Sequence, residues 1–268
     1  MSVRTFFNSH PVFRVEEFAA FLAARDSTNP KTREASLAHY LQAGRILRVR
    51  RGLYVTVPEG SDHETYPVDP YLVAGRVTAD AVLACHTAME FHGKAHSVRE
   101  HFTYLSASMP RPLSFRGCRY RGVPFPKQLR ESHQEMVEVQ THDRLGLAVR
   151  VTSLERTFVD MLHRPDLSGG WEEIWRSLES VTFFDLDKVV DYALLLENST
   201  TIARVGFFLE QHREGLMVEE SHLERLRGHR PKAPHYMSRG KRAAGHLVRG
   251  WNLVVPVDVL ERSWEREG

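Results

Sequence analysis

Residues 13–56 read FRVEEFAAFLAARDSTNPKTREASLAHYLQAGRILRVRRGLYVT, and this stretch decides how the chain is read. Phe18, Phe21 and Leu22 recur at i, i+3 and i+4, which gives a short helix one apolar stripe. Asp26, Ser27, Thr28 and Asn29 break the pattern, and Asn29-Pro30 restarts it. An Asn side chain caps free N–H groups, and proline loses nothing in a first helical turn. The spacing predicts a second helix that runs to about Ala43 and stops at Gly44, the residue best suited to a left-handed C′ position. Leu37, Tyr40 and Leu41 would face inward. At about 100° per residue, Thr32, Ala35, His39 and Gln42 point the other way, with Lys31 and Ser36 on the flanks. Two β-prone runs then flank Arg51-Gly52, which predicts a hairpin with a basic tip.

Helix, turn, helix and basic hairpin is the order of a winged helix-turn-helix, a module that binds duplex DNA. In that geometry Thr32, Ser36, His39 and Gln42 are the candidates for base contact, because small or hydrogen-bonding side chains suit base edges. Lys31, Arg33, Arg45, Arg48, Arg50 and Arg51 are the candidates for phosphates. From Lys31 to Val55 six basic residues face a single acid, Glu34. The segment therefore carries +5, whereas the whole chain carries only +2. Positive charge is concentrated where the motif expects a polyanion.

The chain has 268 residues, 42% hydrophobic and 26% charged. That length accommodates two domains, and the composition is that of a soluble globular protein. The expected division is a winged helix over 1–60, a linker at 61–67 rich in polar and turn residues, and a larger α/β domain over 68–268. No apolar run reaches membrane-spanning length, and Met-Ser-Val-Arg is not a signal-peptide start, so a cytoplasmic location is expected. Cys85 and Cys118 make neither a metal motif nor a disulfide framework, and fit a reducing compartment.

Beyond Asp69-Pro70, a second cap-then-proline helix start, the chain reads as strand-rich and then helix-rich. Phe102–Leu105, Leu113–Val123, Val137–Thr141 and Leu147–Val151 have strand character. Thr152 with Glu155 fits a capping box. Trp171, Ile174, Trp175 and Leu178 repeat at i, i+3, i+4 and i+7 as an amphipathic helix. Helices are expected over Leu186–Leu196, Thr200–Gln211 and Glu219–Arg227, with a final strand, Trp251–Val255, returning to the sheet. The fold class is therefore α+β, a mixed α/β protein.

Several motifs add a resemblance. Gly44-Arg45-Ile46 with Arg51-Gly52-Leu53-Tyr54, the run His86–Gly93, the run Val151–Asp160 and its continuation Gly169-Gly170-Trp171-Glu172-Glu173 resemble the AbiEi family. These are the antitoxins of type IV toxin–antitoxin (abortive infection) operons in phage defence. The resemblance implies an N-terminal domain that binds inverted repeats in its own promoter and represses the operon. It also implies a C-terminal antitoxin domain that counteracts a nucleotidyltransferase-like toxin. It carries over no catalytic residue, metal or cofactor, and the expected role is binding rather than catalysis. The alternative is a stand-alone transcriptional regulator whose C-terminal domain senses a ligand or another protein.

Other chemistries fit the residues less well. Asp185-Leu186-Asp187 has the carboxylate spacing of a nucleotidyltransferase metal site, but no Gly-Ser turn precedes it, and Asp185 reads as a helix cap. Pro165-Asp166 with Asp187-Lys188 lacks the spacer residue of a nuclease metal site. His92 and His96 stand at i, i+4, but Gly93 between them ends the helix and no third ligand follows at metal-site spacing. Cys85 reads as a small core residue. Arg239, Lys241, Arg242, His246 and Arg249 form a second basic cluster, expected to be a solvated loop and helix.

Overall fold

The computed structural model describes residues 2–108, 111–238 and 245–265, and the chain is a mixed α/β protein. It divides into two compact units. The first takes Met1–Leu83, Glu100–Val123 and Thr141–Val151; the second takes Ala84–Arg99, Pro124–Gln140 and Thr152–Gly268. The segment 61–67 lies inside the first unit, and residues 68–268 contribute to both. Within that first unit Arg116 donates to the carbonyls of His63 and Glu64.

The first unit opens with α1 (Val3–Ser9), β1 (Val12–Arg14), α2 (Val15–Ala23), α3 (Pro30–Gln42), β2 (Ile46–Arg50) and β3 (Leu53–Thr56). The Ser2 hydroxyl accepts from Thr5 N at 3.1 Å and starts α1, which places Phe6 and Phe7 against Phe13 and Phe18. β1 pairs antiparallel with β3, and β3 with β2, giving the order β1-β3-β2. Neither α1 nor β1 was expected. α1 has two phenylalanines and a serine cap as its signal, while three residues of strand are too short for any period to show.

α4 (Pro70–Arg76) follows, capped by the Asp69 carboxylate, which accepts from the Tyr71 and Leu72 amides. The unit's large sheet runs β6-β7-β5-β4-β9-β8. Its strands are β4 (Val82–Leu83), β5 (His101–Leu105), β6 (Leu113–Phe115), β7 (Cys118–Val123), β8 (Val139–Arg144) and β9 (Leu147–Thr152). The expected strand Leu113–Val123 is two strands. Arg116 and Gly117 both take positive φ (53° and 77°), the two-residue turn that matches the twist of a hairpin.

The second unit holds α5 (His86–Phe91), α6 (Lys127–Glu131), α7 (Leu154–His163), α8 (Trp171–Glu179), α9 (Leu186–Leu195), α10 (Ser199–Gln211) and α11 (Glu220–Arg227). β10 (His235–Tyr236), β11 (Gly245–Val248) and β12 (Leu253–Pro256) make a small sheet, and α12 (Val257–Glu261) follows it. The amphipathic stripe on α8 is core: Ile174, Trp175 and Leu178 are fully buried. Two expectations are corrected. The cap of α7 is Ser153, whose hydroxyl accepts from Arg156 N, while Thr152 bonds the Thr157 hydroxyl at 2.6 Å instead. The final strand does not return to the large sheet. β12 is the centre of its own sheet, parallel to β10 and antiparallel to β11, because alternation identifies a strand but not its distant partner.

Gly206 on α10 lies under the buried Trp251 ring, and a Cβ there would stand 2.2 Å from the indole. On a free helix surface Gly→Ala gains about 1 kcal/mol. Here overpacking a closed core costs roughly 1–3 kcal/mol or more. Gly206→Ala is therefore expected to lower Tm by several degrees in thermal unfolding; a raised Tm would contradict this packing.

Candidate nucleic-acid interface

α3 is built as its caps dictate. Asn29 Oδ1 accepts from Lys31 N at 2.9 Å, Pro30 occupies the first turn, and Gly44 ends the helix at φ +66°. Only Leu37 is fully buried, with Tyr40 and Leu41 half-buried beside it. Lys31, Thr32, His39 and Gln42 are exposed, so the outward face has the predicted composition. Ser36 and Arg33 differ. Ser36 is half-buried and donates its hydroxyl to Thr32 O at 2.9 Å, which occupies the proton it would offer a base. Arg33 is half-buried and lines a shallow concavity with Ala19, Ala23 and Ser27 of α2 and its following turn.

The hairpin turns at Arg51-Gly52, where Gly52 takes φ +84°. A bulge between Arg48 and Arg50 interrupts the ladder and adds twist near the tip. Arg48 and Arg51 are exposed, and the Arg48 guanidinium lies 6.0 Å from the centroid of the Tyr54 ring. Arg50 turns back instead and donates to the Val77 carbonyl at the end of α4. Arg45 lies 3.7 Å from the Glu59 carboxylate, which also holds Arg4 at 2.6 Å. The structure therefore leaves Lys31, Thr32, His39, Gln42, Arg48 and Arg51 as solvent-facing candidates. It gives Arg45 and Arg50 partners within the protein. A cleft of about 680 Å³ beside the hairpin turn is lined by Arg14, Arg50 and Arg51 together with Glu16 and Glu17.

Sequence reasoning missed the anchor of this arrangement. Arg76, near the end of α4, pairs with Glu17 of α2, and the other Glu17 oxygen accepts from the Arg14 amide at 2.7 Å. Arg76 and Glu17 lie far apart in sequence, and no local spacing links them. Burial alone would raise the Glu17 carboxyl. The hydrogen bonds from Arg76 and the Arg14 amide, with both guanidinium charges, outweigh it and hold the group below its ordinary value of 4.5.

In the second unit the motifs behind the family resemblance interlock as framework. His86 Nε2 meets Glu173 Oε1 at 3.1 Å, and Glu173 also accepts from Ser97 and Ser177. Burial pushes the His86 ring down despite the opposing pull of Glu173, so an uncharged ring faces the carboxylate. His92 Nε2 meets the Thr152 carbonyl at 2.8 Å. Arg156 is wholly buried and donates to the carbonyls of Glu135 and Val137 and to Asp160, which also accepts from Tyr192. Burial, aided by the Asp160 charge, pushes the Cys85 thiol far up. Asp185 caps α9 at Lys188 N, and Asp187 meets Arg225 at 3.2 Å. Among the described residues no three His, Cys, Asp or Glu side chains gather as a metal-ion site. No described helix is long and apolar enough to cross a membrane. Of the second basic cluster, His246 and Arg249 are exposed, while Arg239, Lys241 and Arg242 lie outside the described residues.

No family model and no curated protein matches the chain. Among solved structures it is similar to the RV2827C protein from Mycobacterium tuberculosis, with a TM-score of 0.58 and 16% identity. The match covers 98% of this chain and 93% of that one. At that identity the likeness concerns the fold alone.

A depressed carboxyl contributes stability above its unfolded-state pKa and loses it as pH falls through the folded-state value. Glu17→Gln is accordingly expected to cost about 1–3 kcal/mol at neutral pH, the range for hydrogen bonds to charged groups. Denaturant unfolding of variant and wild type should converge as pH falls through the lowered Glu17 value. A gap that persists in acid would show that the carboxylate's charge is not what matters.

Proposed function

We propose that the N-terminal elements α1 to β3 form a winged helix-turn-helix that binds duplex DNA, with α3 entering the major groove and the β2–β3 hairpin lying along phosphates. The observation that carries the reading is one surface feature. The exposed face of α3, with Lys31, Thr32, His39 and Gln42, belongs to the same module as a hairpin that carries Arg48 and Arg51. The strand order β1-β3-β2, with the helices on one side of the hairpin in sequence, supports it. So does the +5 charge of residues 31–55.

The wider reading is an antitoxin of AbiEi type that acts in the cytoplasm. The N-terminal module represses its own operon, and the remainder of the chain counteracts a nucleotidyltransferase-like toxin in phage defence. Its support is the set of motifs at His86–Gly93, Val151–Asp160 and Gly169–Glu173. The mechanism is binding, with no bond made or broken. A single module reads a short half-site, so an inverted repeat takes two copies of the chain.

Arg48→Ala with Arg51→Ala is expected to weaken binding about equally on all duplex sequences and to flatten the salt dependence by a slope of roughly two. Fluorescence anisotropy over a salt series measures both. A loss confined to one sequence would assign these arginines to bases or groove shape. Wild-type affinity in the variant would remove the hairpin from the interface.

A further inference from the structure

Of the exposed side chains on α3, Lys31, Thr32, His39 and Gln42, His39 alone is of a type whose charge changes between about pH 5 and 8. It stands in the last turn of the helix. Its ring meets the Tyr40 ring edge-on, with centroids 5.2 Å apart, and joins no ion pair among the described residues. The charged groups of the surrounding elements are engaged elsewhere. Glu17 of α2 holds Arg76, and Glu59 after β3 holds Arg4 of α1 and Arg45. Glu16 lines the cleft beside the hairpin turn, and Arg48 of β2 lies by the Tyr54 ring. Glu34, on α3 itself, points about 140° away round the helix. The His63 ring lies over Gly44 at the helix end, where a Cβ would stand 3.0 Å from it, and its Nδ1 is 3.8 Å from the Asp62 carboxylate.

Position along the helix sets what His39 would meet. Lys31 lies in the first turn of α3, and His39 follows roughly 12 Å along the axis, at about 1.5 Å per residue. A recognition helix reads base edges from its N-terminal end, and the major groove is about 12 Å wide. With that end of α3 in the groove, its last turn reaches the groove wall, where the phosphates stand. Two fields at that place favour an imidazolium. The C-terminal end of a helix carries partial negative charge, and a duplex adds full negative charges that the free protein lacks.

We infer that His39 is a proton-coupled phosphate contact: the α3 face takes up a proton at His39 as it engages duplex DNA, and acid tightens the complex. This deepens the DNA-binding reading and rests on it. Linkage fixes the sign. A ligand that favours the protonated protein is itself favoured by protons, so affinity falls as pH rises. A single proton changes affinity by at most about tenfold per pH unit. The imidazolium adds one cation to those of Lys31, Arg48 and Arg51, and so adds to the salt dependence as well.

The test uses the full chain and a labelled duplex of the DNA upstream of its own gene. Fluorescence anisotropy follows binding over a salt series at about pH 6 and about pH 8, which bracket the charge change of histidine. Wild type is expected to bind about tenfold more tightly at the lower pH, with a salt slope larger by roughly one. His39→Gln should lose most of that difference. His39→Arg, a permanent cation, should hold the acid-side affinity at both pH values, and His63→Gln should keep the wild-type difference. Calorimetry in buffers of unlike ionisation heat should show protons taken up as wild type binds, and fewer as His39→Gln binds. Absence of duplex binding at either pH would remove the DNA-binding reading itself, and this inference with it. Wild-type binding that ignores pH, or a pH dependence that His39→Gln keeps or that His63→Gln abolishes, would overturn the inference alone.

Discussion

Glu17 does two things with one carboxylate, and the junction of α2 with α4 depends on both. One oxygen takes the Arg14 amide and fixes the first turn of α2; the other takes the Arg76 guanidinium from α4. Beside it, Val15 N donates to the Gly52 carbonyl at 2.9 Å, and Arg50 donates to the Val77 carbonyl. These contacts peg the hairpin to the start of α2 and to the end of α4, so the tip is not a free arm. Turning Arg50 inward is also what leaves Arg48 and Arg51 as the outward cations. A guanidinium bonded to a buried carbonyl is costly to expose, because the carbonyl would lose its partner. The hairpin is therefore presented to a ligand already shaped, which reduces the ordering entropy that binding must overcome.

The second unit solves a different problem. Its core encloses charged and polar groups that would each be costly if left alone. Arg156 is compensated by two carbonyls and Asp160; Glu173 is compensated by two serines and a histidine. Arg156, Asp160, Glu173 and His86, which belong to the motifs that suggested a family from sequence, are among these framework residues. Their pattern thus reports how the core is wired. The surfaces that would meet a partner in the proposed reading lie elsewhere, on the α3 face and the hairpin tip.

Much of this was legible along the chain because its causes are local. Asn29-Pro30 and Gly44 delimit α3, Asp69-Pro70 opens α4, and the Trp171–Leu178 stripe is a buried helix face, each as capping and periodicity require. What stayed hidden is non-local or too short to show a period. Leu113–Val123 looked like one strand because its turn residues, Arg116 and Gly117, include only one glycine. Ser36 was placed on the outer flank by helical angle and Arg33 among the phosphate candidates, yet a local hydroxyl bond occupies the first and the second is half-buried beside α2. The Arg76–Glu17 pair, the interleaving of the two units and the separate sheet around β12 all join residues far apart in sequence.

Nuclease footprinting of the full chain on the DNA upstream of its own gene, against a scrambled duplex of equal length at near-physiological salt, tests the central reading most directly. The account predicts a protected, sequence-dependent segment on the upstream DNA and none on the scrambled one. Equal, salt-labile protection of both would contradict it and would assign the α3 face and the hairpin to some partner other than a specific DNA site.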